Sequence, residues 1–110
     1  MKIKVFFKDA FLGILEKRGE SFVYNSSEEE KNAQEKYFLK ISAYSEMLGS
    51  NNQKFNKLPT FFQEVVDQIK KRQDLIDGAK VLQTDEDFVV LAKYAMLDQF
   101  KQNFHFGVEN

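Results

Sequence analysis

Pro59 is the only proline in the chain, and it stands directly ahead of Thr60-Phe61-Phe62-Gln63-Glu64-Val65-Val66-Asp67-Gln68-Ile69-Lys70-Lys71-Arg72. The pyrrolidine ring fixes φ just outside a helix. Thr60 is placed to cap that helix, and Gln63, three residues on, can reach back to the Thr60 N–H as a capping box. Phe62, Val65, Val66 and Ile69 recur at helical spacing and form one apolar stripe, while Gln63, Glu64, Asp67, Lys70 and Lys71 lie elsewhere on the wheel. Phe62 is therefore a core residue. Phe61 sits beside the stripe, where it either widens the buried face or shows its ring to a partner.

The rest of the chain supplies strands before this helix and helices after it. Lys2 to Lys8 alternates lysines with Ile3 and Val5, Asp9-Ala10 can turn the chain, and Phe11 to Lys17 reads as a second strand. Arg18-Gly19-Glu20 turns into a third strand, Ser21 to Tyr24. Asn25-Ser26-Ser27 ahead of Glu28, Glu29 and Glu30 resembles a helix cap with acids in the first turn. The body that follows, through Lys36, is so polar that it reads as a short exposed helical turn or a mobile linker rather than a packed element.

Tyr37 to Ser42 alternates Leu39 and Ile41 against Phe38 and Lys40, which predicts a fourth strand. Ala43 to Lys57, with Gly49-Ser50-Asn51-Asn52 at its centre, predicts a long loop. After the capped helix comes a break near Gln73, a short helical piece around Leu75-Ile76 and a stop at Gly78. Thr84 to Asp87 then caps a helix reaching Gln102, with Phe88, Leu91, Ala92, Ala95, Met96 and Gln99 on one face. About 19 residues of helix span about 28 Å, enough to cross the sheet. Asn103 to Asn110 forms a last strand or frays. Strands followed by helices imply an α+β fold in one domain over residues 1–110: a small antiparallel sheet, built from an N-terminal meander plus one or two further strands, packed against two to three C-terminal helices.

Composition narrows the function. A chain of 110 residues can bury about two-thirds of its unfolded surface in one core and leaves no room for a second. It has no cysteine and a single histidine, so disulfide and thiol chemistry are excluded and a zinc site has almost no ligands to draw on. No long apolar span or signal-peptide core is present, which makes the cytoplasm the expected compartment and a membrane partner unexpected.

The net charge is −1, and neither long helix carries the basic stripe that direct nucleic-acid binding needs. Twelve phenylalanines with no tryptophan are more rings than a small core readily hides. The surplus suits a protein partner. His105, between Phe104 and Phe106, has no evident catalytic partner and is assigned no chemistry. Glu28 to Glu30 is read as a solvated helix start, with recognition of a basic partner as the alternative.

Two segments resemble the N-terminal subdomain of HipA-type Ser/Thr kinases, the toxins of bacterial toxin–antitoxin systems. Leu12-Gly13-Ile14-Leu15 matches the Leu-Gly-x-Leu of the subdomain's second strand. Pro59-Thr60-Phe61-Phe62-Gln63-Glu64-Val65-Val66 matches the first half of its Pro-x-Phe-Phe-x-x-Leu-Leu-Pro-Glu-Gly run, with valines for leucines. Phe106-Gly107-Val108 is similar to its final Gly-Ala-Val-like strand, so the resemblance spans nearly the whole chain. Asp67-Gln68-Ile69 stand where the family has Pro-Glu-Gly, so the role of that turn does not carry over.

The resemblance implies the subdomain encoded on its own, as in the tripartite HipBST arrangement, where a small protein of this kind neutralises a HipT-like Ser/Thr kinase and a HipB-like helix-turn-helix protein binds DNA. It implies a non-enzymatic antitoxin without cofactors that covers the kinase's active-site region. The alternative is a structural module that assembles with a kinase or DNA-binding regulator without inhibiting it. Phe55 and Phe61 are the expected apolar anchors of the partner-binding surface, with Asp67, Gln68, Lys71 and Arg72 on the outward side of the helix.

The sequence has no Gly-rich phosphate loop, no Gly-Lys-Ser/Thr, no His-Arg-Asp and no Asp-Phe-Gly. Titration calorimetry of the purified protein with magnesium-ATP is therefore expected to give no measurable heat, whereas micromolar binding would contradict the non-enzymatic reading.

Overall fold

The computed structural model describes residues 1–39, 43–97, 99 and 102–109. Its frame is a five-stranded, wholly antiparallel sheet made of β1 (Lys2–Phe7), β2 (Ala10–Arg18), β3 (Ser21–Ser26), β4 (Gln53–Phe55) and β5 (Phe104–Glu109), in the spatial order β4-β3-β2-β1-β5. The meander predicted from the alternating pattern is present, and the last strand pairs with the first. Four α-helices accompany it: α1 (Glu30–Tyr37), α2 (Thr60–Lys70), α3 (Gln73–Ala79) and α4 (Asp87–Ala95), with a 3₁₀ helix at Ala43–Met47. The fold is α+β.

Register decides which side chains are inside. Ile3 pairs with both Leu15 and Val108, Leu15 with Tyr24, and Val5 with Phe106, so these residues share one face. The ring contacts that join helices to this sheet, among the described residues, are all to that inner face: Tyr37 to Phe7, Tyr44 to Tyr24 and Phe104, Phe61 to Phe104 and Phe106, Phe62 to Tyr24 and Phe106, Phe88 to Phe22, and Tyr94 to Phe106. The outer face carries Lys2, Lys4, Phe6, Ile14 and Val23. A bulge between Val5 and Phe6 inserts Leu12 as an extra residue, and its side chain is fully buried.

Gly13 has a steric reason to be glycine. A Cβ there would stand 2.4 Å from the Asn25 carbonyl oxygen and 2.5 Å from the Tyr24 hydroxyl oxygen. The end of the Tyr24 ring thus lies over Gly13, completely buried, and its hydroxyl reaches that of Tyr44 at 2.8 Å. Tyr44 in turn donates to the carboxyl of Glu30, which is 3% exposed and also accepts from Ser26 Oγ (2.6 Å) and the Gly49 N–H (2.7 Å). With Tyr44 giving its one proton to Glu30, Tyr24 is the donor to Tyr44. Burial pushes both phenols well above their ordinary range, which keeps them protonated donors.

That network overturns several expectations. The polar segment after β3 is not a linker but the packed helix α1, because Glu30 finds three partners inside and Ala33 is buried beside it. Of the strand predicted over Tyr37 to Ser42, the described residues are not extended: Tyr37 ends α1 and Phe38 turns into the left-handed region at φ 56°, while Lys40 to Ser42 lie outside the described residues. Ala43 to Lys57 is not a plain loop. Tyr44 and Met47 anchor the 3₁₀ helix in the core, the turn at Leu48-Gly49 follows, and Gln53–Phe55 adds β4 to the sheet edge.

α3 does not stop at Gly78; Lys80, with φ 58°, supplies the left-handed cap. The helix predicted from Thr84 to Gln102 is only the nine residues of α4. Phe88, Leu91, Ala92 and Ala95 are buried as expected, but Met96 is largely exposed at the C-cap. Gln99 is buried outside that helix, where its amide donates to Tyr94 O and its carbonyl accepts the Phe106 N–H of β5.

Phe62→Ala is expected to lose about 3–5 kcal/mol of stability and Gly13→Ala about 1–3 kcal/mol, while Asp67→Ala changes it by less than about 0.5 kcal/mol. Chemical denaturation of the three variants measures this. Equal midpoints for Gly13→Ala and the wild type would show that the Tyr24 ring is not held against β2.

Candidate protein-binding surface

The surface expected to meet a partner is built on α2, whose start differs from the sequence reading. Pro59 itself is the N-cap, in extended backbone with ψ 146°, and offers no side-chain capping hydrogen bond of its own. The Thr60 N–H is satisfied instead by Glu46 Oε1 at 2.7 Å, and Gln63, rather than closing a capping box, donates to Asp67 (3.1 Å) and Asp87 (3.0 Å). A carboxylate from the preceding 3₁₀ helix replaces the local cap, something spacing alone does not reveal.

Phe61 is not an anchor for a partner. It is 6% exposed, with its ring centroid 4.8 Å from Phe104, 5.1 Å from Phe62 and 5.5 Å from Tyr44. The aromatic run of β5 and the 3₁₀ helix come to it from remote parts of the chain, so it belongs to the core. Phe55 is half-buried: it pairs with Phe22 across β3 and β4 and packs against the core edge, which makes it the pin of β4.

Asp67, Gln68, Lys71 and Arg72 are all exposed, as the helix wheel predicts. Gln68 and Arg72 border a cleft of about 90 Å³ with Val65, Leu75, Tyr94 and Gln102. The Arg72 guanidinium makes a two-point contact with Asp74, at 2.7 and 3.2 Å; it holds the Asp74 carboxyl below its ordinary value, and Asp74 holds Arg72 above its own. Burial raises the nearby Tyr94 phenol. The structure therefore brings Gln68, Arg72 and their neighbours together but does not bring Phe55 to them, since Gln102 leads into β5 and Phe55 lies in β4, at opposite edges of the sheet.

The orientation of α2 depends on polar contacts to α4. Lys70 Nζ lies 2.7 Å from Asp87 Oδ1, and Gln63 holds the other carboxylate oxygen. The Lys70 ammonium, helped by Gln63, keeps the Asp87 carboxyl below its ordinary range. Asp85 next to it accepts from the Leu82 N–H and from Lys93, and is likewise held low.

Two exposed features were missed by sequence reasoning. Phe38 is 68% exposed in left-handed backbone, where an aromatic side chain is uncommon, and its place in an alternating run had suggested a strand. Leu82, also exposed, borders a cleft of about 300 Å³ with Lys70, Ile76, Val81 and Gln83. With only Val81 beside it in an otherwise polar stretch, it gave no periodic signal. His105, assigned no chemistry, lies with its Nε2 2.6 Å from the Lys8 carbonyl oxygen and its ring stacked on Phe6.

Among the described residues no group of three His, Asp or Glu is arranged to hold a metal ion, and no helix is long and apolar enough to cross a membrane. Comparison with protein-family models, with curated proteins and with solved structures finds no match to this chain.

The depressed Asp87 gives stability a pH dependence of definite sign. Its contact with Lys70 stabilises the fold above the ordinary aspartate value of 3.8 and stops doing so as acid protonates the folded carboxyl. Asp87→Asn is expected to melt below the wild type at pH 7, with the gap closing as the pH falls below 3.8 and through the lowered value of the folded carboxyl. Melting curves across that range measure it, and a constant gap would exclude the charge as its cause.

Proposed function

We propose that this chain is a protein-binding antitoxin of the HipA N-terminal-subdomain type, acting in the cytoplasm on a HipT-like Ser/Thr kinase whose active-site region it covers. The observation that supports this reading is that the segments carrying the resemblance meet in one core. Leu12 and Leu15 from the Leu-Gly-Ile-Leu strand and Phe61 and Phe62 from the Pro-Thr-Phe-Phe helix start belong to a single buried cluster. Gly13 is the floor on which Tyr24 rests, and the Tyr24 ring lies 6.0 Å from that of Phe62. Two short motifs some 45 positions apart thus serve one packing unit, as they would if that unit were what the chain shares with the kinase subdomain.

With Phe61 internal, the partner-facing side of α2 consists of the exposed Asp67, Gln68, Lys71 and Arg72, of which Gln68 and Arg72 border the Tyr94 cleft. These are charged and polar groups on a rigid helix, suited to setting the register of a docked protein. Inhibition through such a surface is steric, or it holds the kinase in a closed state. A HipB-like DNA-binding protein would join through the complex rather than through this chain, whose net charge is −1.

Co-expression with a HipT-like Ser/Thr kinase tests the proposal. The wild type is expected to restore growth, and the Lys71→Glu/Arg72→Glu double variant to weaken kinase binding by about tenfold or more with an unchanged melting temperature. Tight binding without rescue of growth would favour the non-inhibitory scaffold, and no binding would overturn both.

A further inference from the structure

We infer that the outer face of the sheet, which no helix ring contacts among the described residues, is a second docking surface, for an acidic polypeptide segment carrying apolar side chains. The register places Phe11, Phe6 and His105 side by side on three neighbouring strands, with ring centroids 5.6 Å and 5.0 Å apart, and sets Ile14 beside Lys4 in the next row. Phe6, Phe11 and Ile14 are half-buried although, among the described residues, no helix ring contact reaches this side. Val23 continues the row on β3 but is itself buried, at 6% exposure, so the accessible strip is Phe6, Phe11 and Ile14.

Charge selects the occupant. The same face carries Lys2, Lys4, Arg18 and Lys54 against Glu16 and Glu109, four cations to two acids, so it is net +2 in a chain that is −1 overall. Lys4 pairs with Glu109 and Arg18 with Glu16, while Lys2 and Lys54 make no ion pair among the described residues and stand at either side of the Val23-Glu16 row. Two copies of the chain facing one another would each bring this positive excess, which disfavours self-pairing. Single-stranded nucleic acid needs ring faces on which bases can stack, and here Phe6 and His105 stack on one another at 6°. An acidic segment instead places carboxylates on Lys2 and Lys54 and apolar side chains on the Phe6-Phe11-Ile14 strip.

The test is an amide chemical-shift titration of the full chain with an acetylated decapeptide alternating Glu and Phe, against a Lys-Phe decapeptide and oligo(dT). The Glu-Phe peptide is expected to shift amides of Lys4, Phe6, Ile14 and Lys54 and to bind at least about fivefold more weakly in 0.5 M salt. Lys2→Glu/Lys54→Glu is expected to weaken it about tenfold with the melting temperature unchanged, and Lys54→Glu alone serves if the double variant does not fold. Equal binding of the Lys-Phe peptide, shifts confined to the helices, tighter binding of oligo(dT), or concentration-dependent self-association with no peptide binding would each overturn the inference.

Discussion

The buried carboxyl of Glu30 holds the architecture together. A carboxyl group inside a protein is costly unless its oxygens are satisfied, and here Tyr44, Ser26 and the Gly49 N–H all converge on it. Each partner belongs to a different element. Tyr44 comes from the 3₁₀ helix, Ser26 from the end of β3 and Gly49 from the turn leading to β4. One side chain therefore fixes the start of α1 against the sheet and ties down a segment that would otherwise be an irregular connection. Through Tyr24, the same chain of hydrogen bonds sets the ring that covers Gly13 and touches Phe62. The position of α2, and with it the proposed binding surface, follows from a polar cluster rather than from apolar area alone.

That dependence explains which parts of the fold were legible in the sequence. The first three strands and α2 were, because each has its own period and its own turn or proline signal. α1 was not: its hydrophobic pattern is weak, and what buries it is an acid whose partners lie remote in sequence. β4 was hidden in Gln53-Lys54-Phe55, which alternates poorly, and it pairs only because Phe55 meets Phe22. α4 was overextended because Met96 and Gln99 continue the heptad-like spacing, although Gln99 leaves the helix to serve the Phe106 N–H. In the candidate surface, the exposed Asp67, Gln68, Lys71 and Arg72 could be read from the helix wheel. Phe61 could not be placed, because its burial depends on Phe104, some forty residues away.

Two sides of the molecule now carry different chemistry. The helical side offers mixed charges beside a small cleft, with a bidentate Arg72–Asp74 pair fixing the geometry. The sheet side offers a flat aromatic and aliphatic strip under a positive excess. A two-layer protein covers only one face of its sheet, so an uncovered strand face is an intrinsic property of the architecture, available to a partner without any change in the core.

The placement of β5 bears on how the molecule comes together in time. β1 is a central strand, flanked by β2, its immediate neighbour in sequence, and by β5, whose Glu109 sits opposite Lys2. The β1–β2 hairpin closes a short loop at small entropic expense, whereas the β1–β5 ladder must join segments from the two extremes of the described chain. A topology weighted toward such remote pairings folds slowly for its size, and the hairpin exists for a period with one side of β1 unsealed. During that interval the strand's free amides and the Phe6 and Phe7 rings are open to pairing with another copy, so the rate at which β5 docks sets the window in which this small protein is prone to aggregate.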